Sequence, residues 1–200
     1  MYVDSHCHLD FPELARNLPD ILNRMTQNRV SHALVVSVNM RDWPRLMALV
    51  AGQPHLYASV GVHPDYEDAP DPTVDDLVKA THSDKVVAIG ESGLDYFRLS
   101  EPLDWQRERF RTHIRASRQS GLPLIVHTRA AAADTLRIMQ EERAGQVGGV
   151  MHCFTESWEI ARQALALDFY ISLSGIVTFK GRRLARIGGQ GAARPSAHRD

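Results

Sequence analysis

The chain has 200 residues, 44% of them hydrophobic, and 23 lysines and arginines against 24 aspartates and glutamates for a net charge of −1. That suffices for one domain with a sizeable core. The charge balance excludes an extended basic face for nucleic acid, so any phosphate recognition must be local. No apolar run approaches the ~18 residues of a membrane-spanning helix, and the opening Met-Tyr-Val-Asp-Ser-His has no signal-type leader.

In chain order, short β-type runs alternate with longer amphipathic stretches. Strands are expected at Tyr2–His6, Ala33–Val38, Leu56–Val62, Val86–Glu91, Leu124–His127, Gly149–Cys153 and Phe169–Ser174. Between them, helices are expected at 18–29, 42–53, 73–80, 104–120, 131–142 and 157–167. The clearest is 104–120, with Asp104 as its cap, Phe110, Ile114 and Ala116 in its apolar pattern, and Gly121-Leu122-Pro123 as its stop. This rhythm implies parallel βαβ units. The nearly all-apolar strands suit burial on both faces. The fold class expected is α/β, a (β/α)8 TIM-type barrel lacking its last strand and helices. A doubly wound sheet would carry a Gly-rich turn after the first strand, and here that turn reads His-Cys-His-Leu-Asp.

Five metal-type ligands fall at the ends of these strands: His6 and His8, Glu91, His127 and His152. Barrels of this kind carry their chemistry at strand C-termini. Two-residue spacing puts His6 and His8 on one strand face with Cys7 on the other, so both imidazoles can bind one divalent cation. A carboxylate such as Glu91 can bridge two cations about 3.5–4 Å apart. Singly, each has an ordinary explanation as a polar strand end or ion pair; together they point to a metal centre. Cys7 and Cys153 form no disulfide framework and suit a reducing cytoplasm.

The chain resembles the TatD family of metal-dependent deoxyribonucleases, within the amidohydrolase-like barrel superfamily. The resemblance runs from residue 2 to about 180. It rests on D-S-H-C-H-L-D (4–10), G-V-H-P (61–64), I-G-E-S-G-L-D-Y-F (89–97), Q-R-E-R-F (106–110), P-L-I-V-H-T-R (123–129), M-H-C-F-T-E-S (151–157) and I-S-L-S-G-I-V-T-F-K (171–180). The resemblance implies two divalent cations (Mg, Mn or Zn), one held by His6, His8 and Glu91 and the other by Glu91, His127 and His152. It also implies hydrolysis of phosphodiester bonds from a DNA end, in the cytoplasm, with no membrane and no obligate protein partner. His63 is a candidate for the substrate phosphate or attacking water, or else fixes the loop beside Pro64. Asp95 is a candidate substrate contact, one that orients a neighbour or approaches the metals, or else a helix or loop cap. Arg129 either grips a phosphate or forms a salt bridge. Tyr96 and Phe97 are expected in the core, and His32, His55, His82, His113 and His198 as surface or structural residues.

Two departures stand out. The residue after Arg129, usually acidic in the family, is Ala130. Residues 181–200 carry five arginines and four glycines and resemble no preceding element, so the domains expected are a barrel at 1–180 and an aberrant tail at 181–200. The family's last ligand, an Asp in E-T-D-S-P ending strand eight, would fall a residue or two past Asp200. Back-translated one base out of step, the tail yields a helix and a strand ending in Glu-Thr, the expectation for a frameshifted or truncated member. Loss of that Asp would impair the nuclease. Hydrolysis of an aminoacyl-tRNA ester, and an inactive or merely binding remnant, stand as alternatives.

Overall fold

The protein is seen in a computed structural model that describes residues 1–97 and 103–178. All seven expected strands form: β1 (Tyr2–Cys7), β2 (Val30–Val35), β3 (Leu56–Val60), β4 (Val86–Asp95), β5 (Leu124–Arg129), β6 (Gly149–Met151) and β7 (Phe169–Ile171). They make one sheet in the order β1-β2-β3-β4-β5-β6-β7, parallel throughout. The connecting helices are α1 (Pro12–Ala15), α2 (Leu18–Gln27), α3 (Trp43–Ala51), α4 (Val74–Ala80), α5 (Asp104–Ser120), α6 (Ala132–Glu141) and α7 (Trp158–Leu165). Six βα steps followed by a seventh strand, in sequential order, are the architecture of a (β/α) barrel. The Phe179-Lys180 end of the last motif and the tail at 181–200 lie outside the described residues.

Two helices start at side-chain caps. Thr73 and Asp76 form a reciprocal capping box at α4, and the Ser157 hydroxyl accepts from Ile160 N–H at α7. Asp104 departs from expectation. It is the first residue of α5, not its cap, and its carboxylate accepts from Arg107 at 2.9 Å one turn on. Gly121 does end α5, in a left-handed conformation with φ 73°.

The main core lies between sheet and helices. Val35, Ala58, Val60, Ile89, Leu94, Leu124 and Val126 meet Leu46, Val50, Leu77, Phe110, Ile114, Ile138 and Met139 there. Each such aliphatic or aromatic side chain contributes roughly 1.5–3 kcal/mol by burial. The opposite strand face carries a smaller cluster of Val36, Ala88 and Ile125. Burial on both faces fails at the outermost strands: Tyr2 and Val3 of β1 are 68% and 64% exposed, and Tyr170 of β7 is 68% exposed. Among the described residues, each of these strands has a neighbour on one side only.

β4 outruns its expected end at Glu91 by four residues, reaching Asp95. Its register with β5 shifts between Ile89 and Ser92, and Gly90 and Gly93 take positive φ values there. Gly93 holds φ +146°, and a Cβ on it would lie 2.0 Å from the His127 carbonyl oxygen. Ala130, just past β5, holds a left-handed φ of 54°. Gly93→Ala is expected to destabilise the fold by more than about 3 kcal/mol. Ala130→Gly is expected to leave it unchanged or up to about 1 kcal/mol more stable, since left-handed strain is relieved against added chain entropy. Urea unfolding of both variants checks these opposite signs.

Candidate metal centre

Glu91 lies at the middle of the site and is 3% exposed. One carboxylate oxygen, Oε2, stands 3.2 Å from His6 Nε2. The other, Oε1, stands 3.4 Å from His127 Nδ1 and 4.0 Å from His63 Nε2. The two oxygens thus face two different sets of imidazoles. Ligand atoms of His6, His8 and Glu91 all lie within 4.8 Å of one another, as do those of His63, Glu91 and His127. Burial raises the Glu91 pKa, but hydrogen bonds from His127 and His6 outweigh it and hold the carboxyl well below the usual carboxylate range. An ionised, buried carboxylate ringed by imidazoles suits divalent cations.

The surroundings fix which ring nitrogens point inward. His8 Nδ1 lies 3.1 Å from the Val36 carbonyl oxygen. A carbonyl only accepts, so Nδ1 carries the proton and Nε2 keeps its lone pair. His127 Nε2 lies 2.9 Å from Asp95 Oδ2, which leaves Nδ1 facing Glu91. Burial depresses the His127 pKa, but Asp95 and Glu91 together raise it to about 9. His63 is set the opposite way. Its Nδ1 accepts the Asp65 backbone N–H at 3.1 Å, so the neutral ring carries its proton on Nε2, directed toward the centre as a donor and not a ligand. Burial pushes His63 down to about 4 and keeps it neutral.

His152 adjoins the first set. Its ring stacks on His6 with centroids 3.4 Å apart, and burial, with the neighbouring His6, lowers its pKa to about 4. The sequence expects His152 beside Glu91 and His127; among the described residues, the compact group around those two includes His63 instead. Asp95 is wholly buried. Its carboxylate holds the His127 ring and accepts the Phe97 N–H at 2.9 Å. That same bond turns the chain at the end of β4 and leaves Phe97 65% exposed, where the sequence expects a core residue. Tyr96 is half-buried, with its hydroxyl donating to Asp134 at 2.8 Å. Arg129 lies with its guanidinium over the Phe97 ring, 3.8 Å from the centroid.

Sequence reasoning missed the supports. Beneath the centre, the Ser59 hydroxyl donates to Gly90 O at 2.5 Å and accepts from Ser37 N–H at 3.0 Å. Ser37 donates to Gly61 O at 2.9 Å. These hydroxyls tie together the backbones around β2, β3 and β4. A buried polar face of α5 holds the loop that carries His63. Gln106 donates to Pro64 O at 3.2 Å and accepts from Asp95 N–H at 2.9 Å. Arg109 donates to Tyr66 O and Ala69 O. His113 Nε2 accepts from Val62 N–H at 3.0 Å while its Nδ1 donates to Arg109 O at 2.7 Å. Positions 106, 109 and 113 share one helical face, and the Q-R-E-R-F motif is its only mark in the sequence.

A cavity of about 830 Å³, lined by Leu34, Ala88, Ile125, Val150 and Tyr170, includes none of the metal-type residues in its wall. The metal-type side chains sit instead at the C-terminal ends of the strands, the side on which (β/α)-barrel enzymes carry their chemistry. The family described as TatD related DNase matches residues 3–190. The uncharacterized metal-dependent hydrolase YcfH of Escherichia coli strain K12 is 42% identical over 187 residues, which are 92% of this chain and 70% of that protein. The uncharacterized metal-dependent hydrolase YabD of Bacillus subtilis strain 168 is 39% identical over 186 residues, 92% of this chain and 72% of that one. The crystal structure of YjjV, a TatD homolog from Escherichia coli K12, superimposes with a TM-score of 0.85 at 27% identity, covering 92% of this chain and 72% of that one. The chain belongs to the TatD family of metal-dependent hydrolases. No helix among the described residues is long and apolar enough to cross a membrane.

Burial lowers the His113 pKa from 6.5 to about 4. Because the folded value lies below the unfolded one, the unfolded chain takes up the proton first as pH falls. The stability this residue contributes is therefore complete above its unfolded pKa and drains away as pH drops toward its folded one. Wild type is expected to lose roughly 2 kcal/mol more than His113→Asn between about pH 7 and pH 5. Urea midpoints at the two pH values measure the difference.

Proposed function

We propose that this chain hydrolyses phosphodiester bonds at an end of a DNA strand with the help of two divalent cations. The observation that carries the reading is the Glu91 carboxylate, buried, ionised and divided between two groups of imidazoles. In this reading His6, His8 and Glu91 would hold one cation, and Glu91, His127 and His152 the second. Histidines admit Zn, and the carboxylate together with phosphate chemistry admits Mg or Mn. When bound, such ions draw electron density from a phosphoryl oxygen and make water a stronger nucleophile at neutral pH.

The side chains supply the rest. Asp95 fixes the His127 ring, keeping Nδ1 inward. His63, neutral with its proton on Nε2, donates a hydrogen bond to a phosphoryl oxygen or to the attacking water. Arg129 takes a phosphate on its guanidinium edge. A net charge of −1 suits a few local contacts of this kind over an extended basic track. The hydrolase domain of this reading is residues 1–180, and its compartment is the cytoplasm, in keeping with free thiols at Cys7 and Cys153.

Two measurements test the reading. Calorimetric titration with manganese should show uptake by the wild type and at least tenfold weaker uptake by Glu91→Gln, since the exchange removes the carboxylate that both groups share among the described residues. Turnover of single-stranded DNA should require the cation, cease with a chelator and fall at least a hundredfold in Glu91→Gln, in line with loss of a metal-site charge. Cleavage of an aminoacyl ester with DNA left intact would overturn the assignment to DNA.

A further inference from the structure

We propose that Arg129 and Phe97 form a subsite for one nucleotide of a single-stranded DNA end. The guanidinium edge takes the phosphate, and the open face of the phenyl ring takes the unstacked base. The inference rests on the phosphodiesterase reading above and adds to it what the enzyme recognises beside the scissile bond.

Three observations converge on it. First, Arg129 and His127 are two apart on β5, so their side chains leave the strand on the same side. Second, the Arg129 guanidinium makes no ion pair or hydrogen bond among the described residues, whereas Arg107, Arg109, Arg111, Arg115 and Arg137 are all paired with carboxylates. Its guanidinium lies over the Phe97 ring, 3.8 Å from the centroid, with the Asp95 carboxylate near enough to feel its charge. Stacking fixes the plane of the guanidinium but leaves its N–H edge vacant, and that edge is the fork that matches two phosphate oxygens. Third, Phe97 remains 65% exposed although the guanidinium lies over it. A lone exposed phenylalanine needs no explanation, but this one is anchored. Its N–H is bonded to Asp95 Oδ1, and Asp95 Oδ2 holds His127. One carboxylate therefore sets the metal-type histidine and the aromatic platform in a common frame.

A vacant phosphate fork and an open aromatic face, side by side, match a nucleotide in two respects: charge on one side and a flat ring on the other. Stacking on an aromatic ring is sequence-tolerant because every base has a π-face. A base paired within a duplex is not free to leave its stack without added energy. The subsite therefore selects single-stranded or frayed ends without reading sequence.

The test is binding by the full chain with manganese present, so that it does not depend on turnover. The probes are a short phosphorothioate-linked single strand carrying 2-aminopurine, the same strand with abasic sites, and a blunt hairpin. The expected result is that Phe97→Ala weakens the base-bearing strand roughly tenfold and relieves 2-aminopurine quenching, while the abasic strand changes less than about twofold. Phe97→Tyr should restore both affinity and quenching, which a general folding defect would not allow. Arg129→Ala should weaken both strands, and the hairpin should bind at least tenfold more weakly than the strand. Wild-type affinity and quenching in Phe97→Ala would overturn the subsite while leaving the phosphodiesterase reading, tested through Glu91→Gln, intact. An equal loss on the abasic strand would overturn the base-stacking role, and equal binding of the hairpin would overturn the selection for single strands. If the wild type bound no strand at all, the subsite and the DNA assignment would fall together.

Discussion

An ionised carboxylate with 3% of its surface exposed is the demand around which this molecule is arranged. Left unpaired, such a charge would cost several kcal/mol. The fold answers with imidazoles on both sides of Glu91, brought from β1, from the loop after β3, from β5 and from the end of β6. No short stretch of chain can deliver them together. A sequentially ordered parallel sheet does so by placing each strand's C-terminal end beside the next. In the cation-bound form of the reading proposed above, the imidazoles remain and metal charge takes over the compensation of the carboxylate.

Around that centre, the work of orientation falls to groups that never face a substrate. The Val36 carbonyl fixes the His8 tautomer, Asp95 fixes His127, and the Asp65 N–H fixes His63. The result is a division of roles among chemically identical rings: His8 turns the lone pair of Nε2 inward, His127 presents Nδ1 to Glu91, and His63 turns a proton inward. Helix α5 is the common support. Its apolar side, with Phe110 and Ile114, is core, while Gln106, Arg109 and His113 grip the His63 loop from the buried polar side. Gln106 also binds the Asp95 backbone, so the loop of His63 and the strand end that aligns His127 are held by a single amide. Stability of this helix and precision of the site are consequently linked.

The fold and most of the centre were legible in the amino-acid order because both are written locally. Short, nearly all-apolar runs give seven strands within a few residues of their observed limits, and Thr73, Ser157 and Gly121 mark helix ends by side-chain and backbone chemistry that acts over one turn. What the sequence left unread shares a cause. Phe97 reads as core because phenylalanine usually is, yet it is 65% exposed with its N–H bonded to Asp95. Asp95 carries several readings in the sequence because its partner His127 is 32 positions away on the next strand. His113 has no pattern in sequence because its partner, Val62 N–H, is 51 positions away.

The sequence by itself determined the parallel barrel rhythm, the imidazole and carboxylate side chains at the strand ends and the neutral overall charge, since each depends on residue type and spacing along one strand or helix. Tertiary structure alone decided which nitrogen of each histidine faces the centre, that His152 stacks on His6, and that Arg129 lies on Phe97 with its fork vacant. Those outcomes depend on distances of about a hydrogen bond between groups tens of residues apart, and such distances are set only when helices and strands have packed.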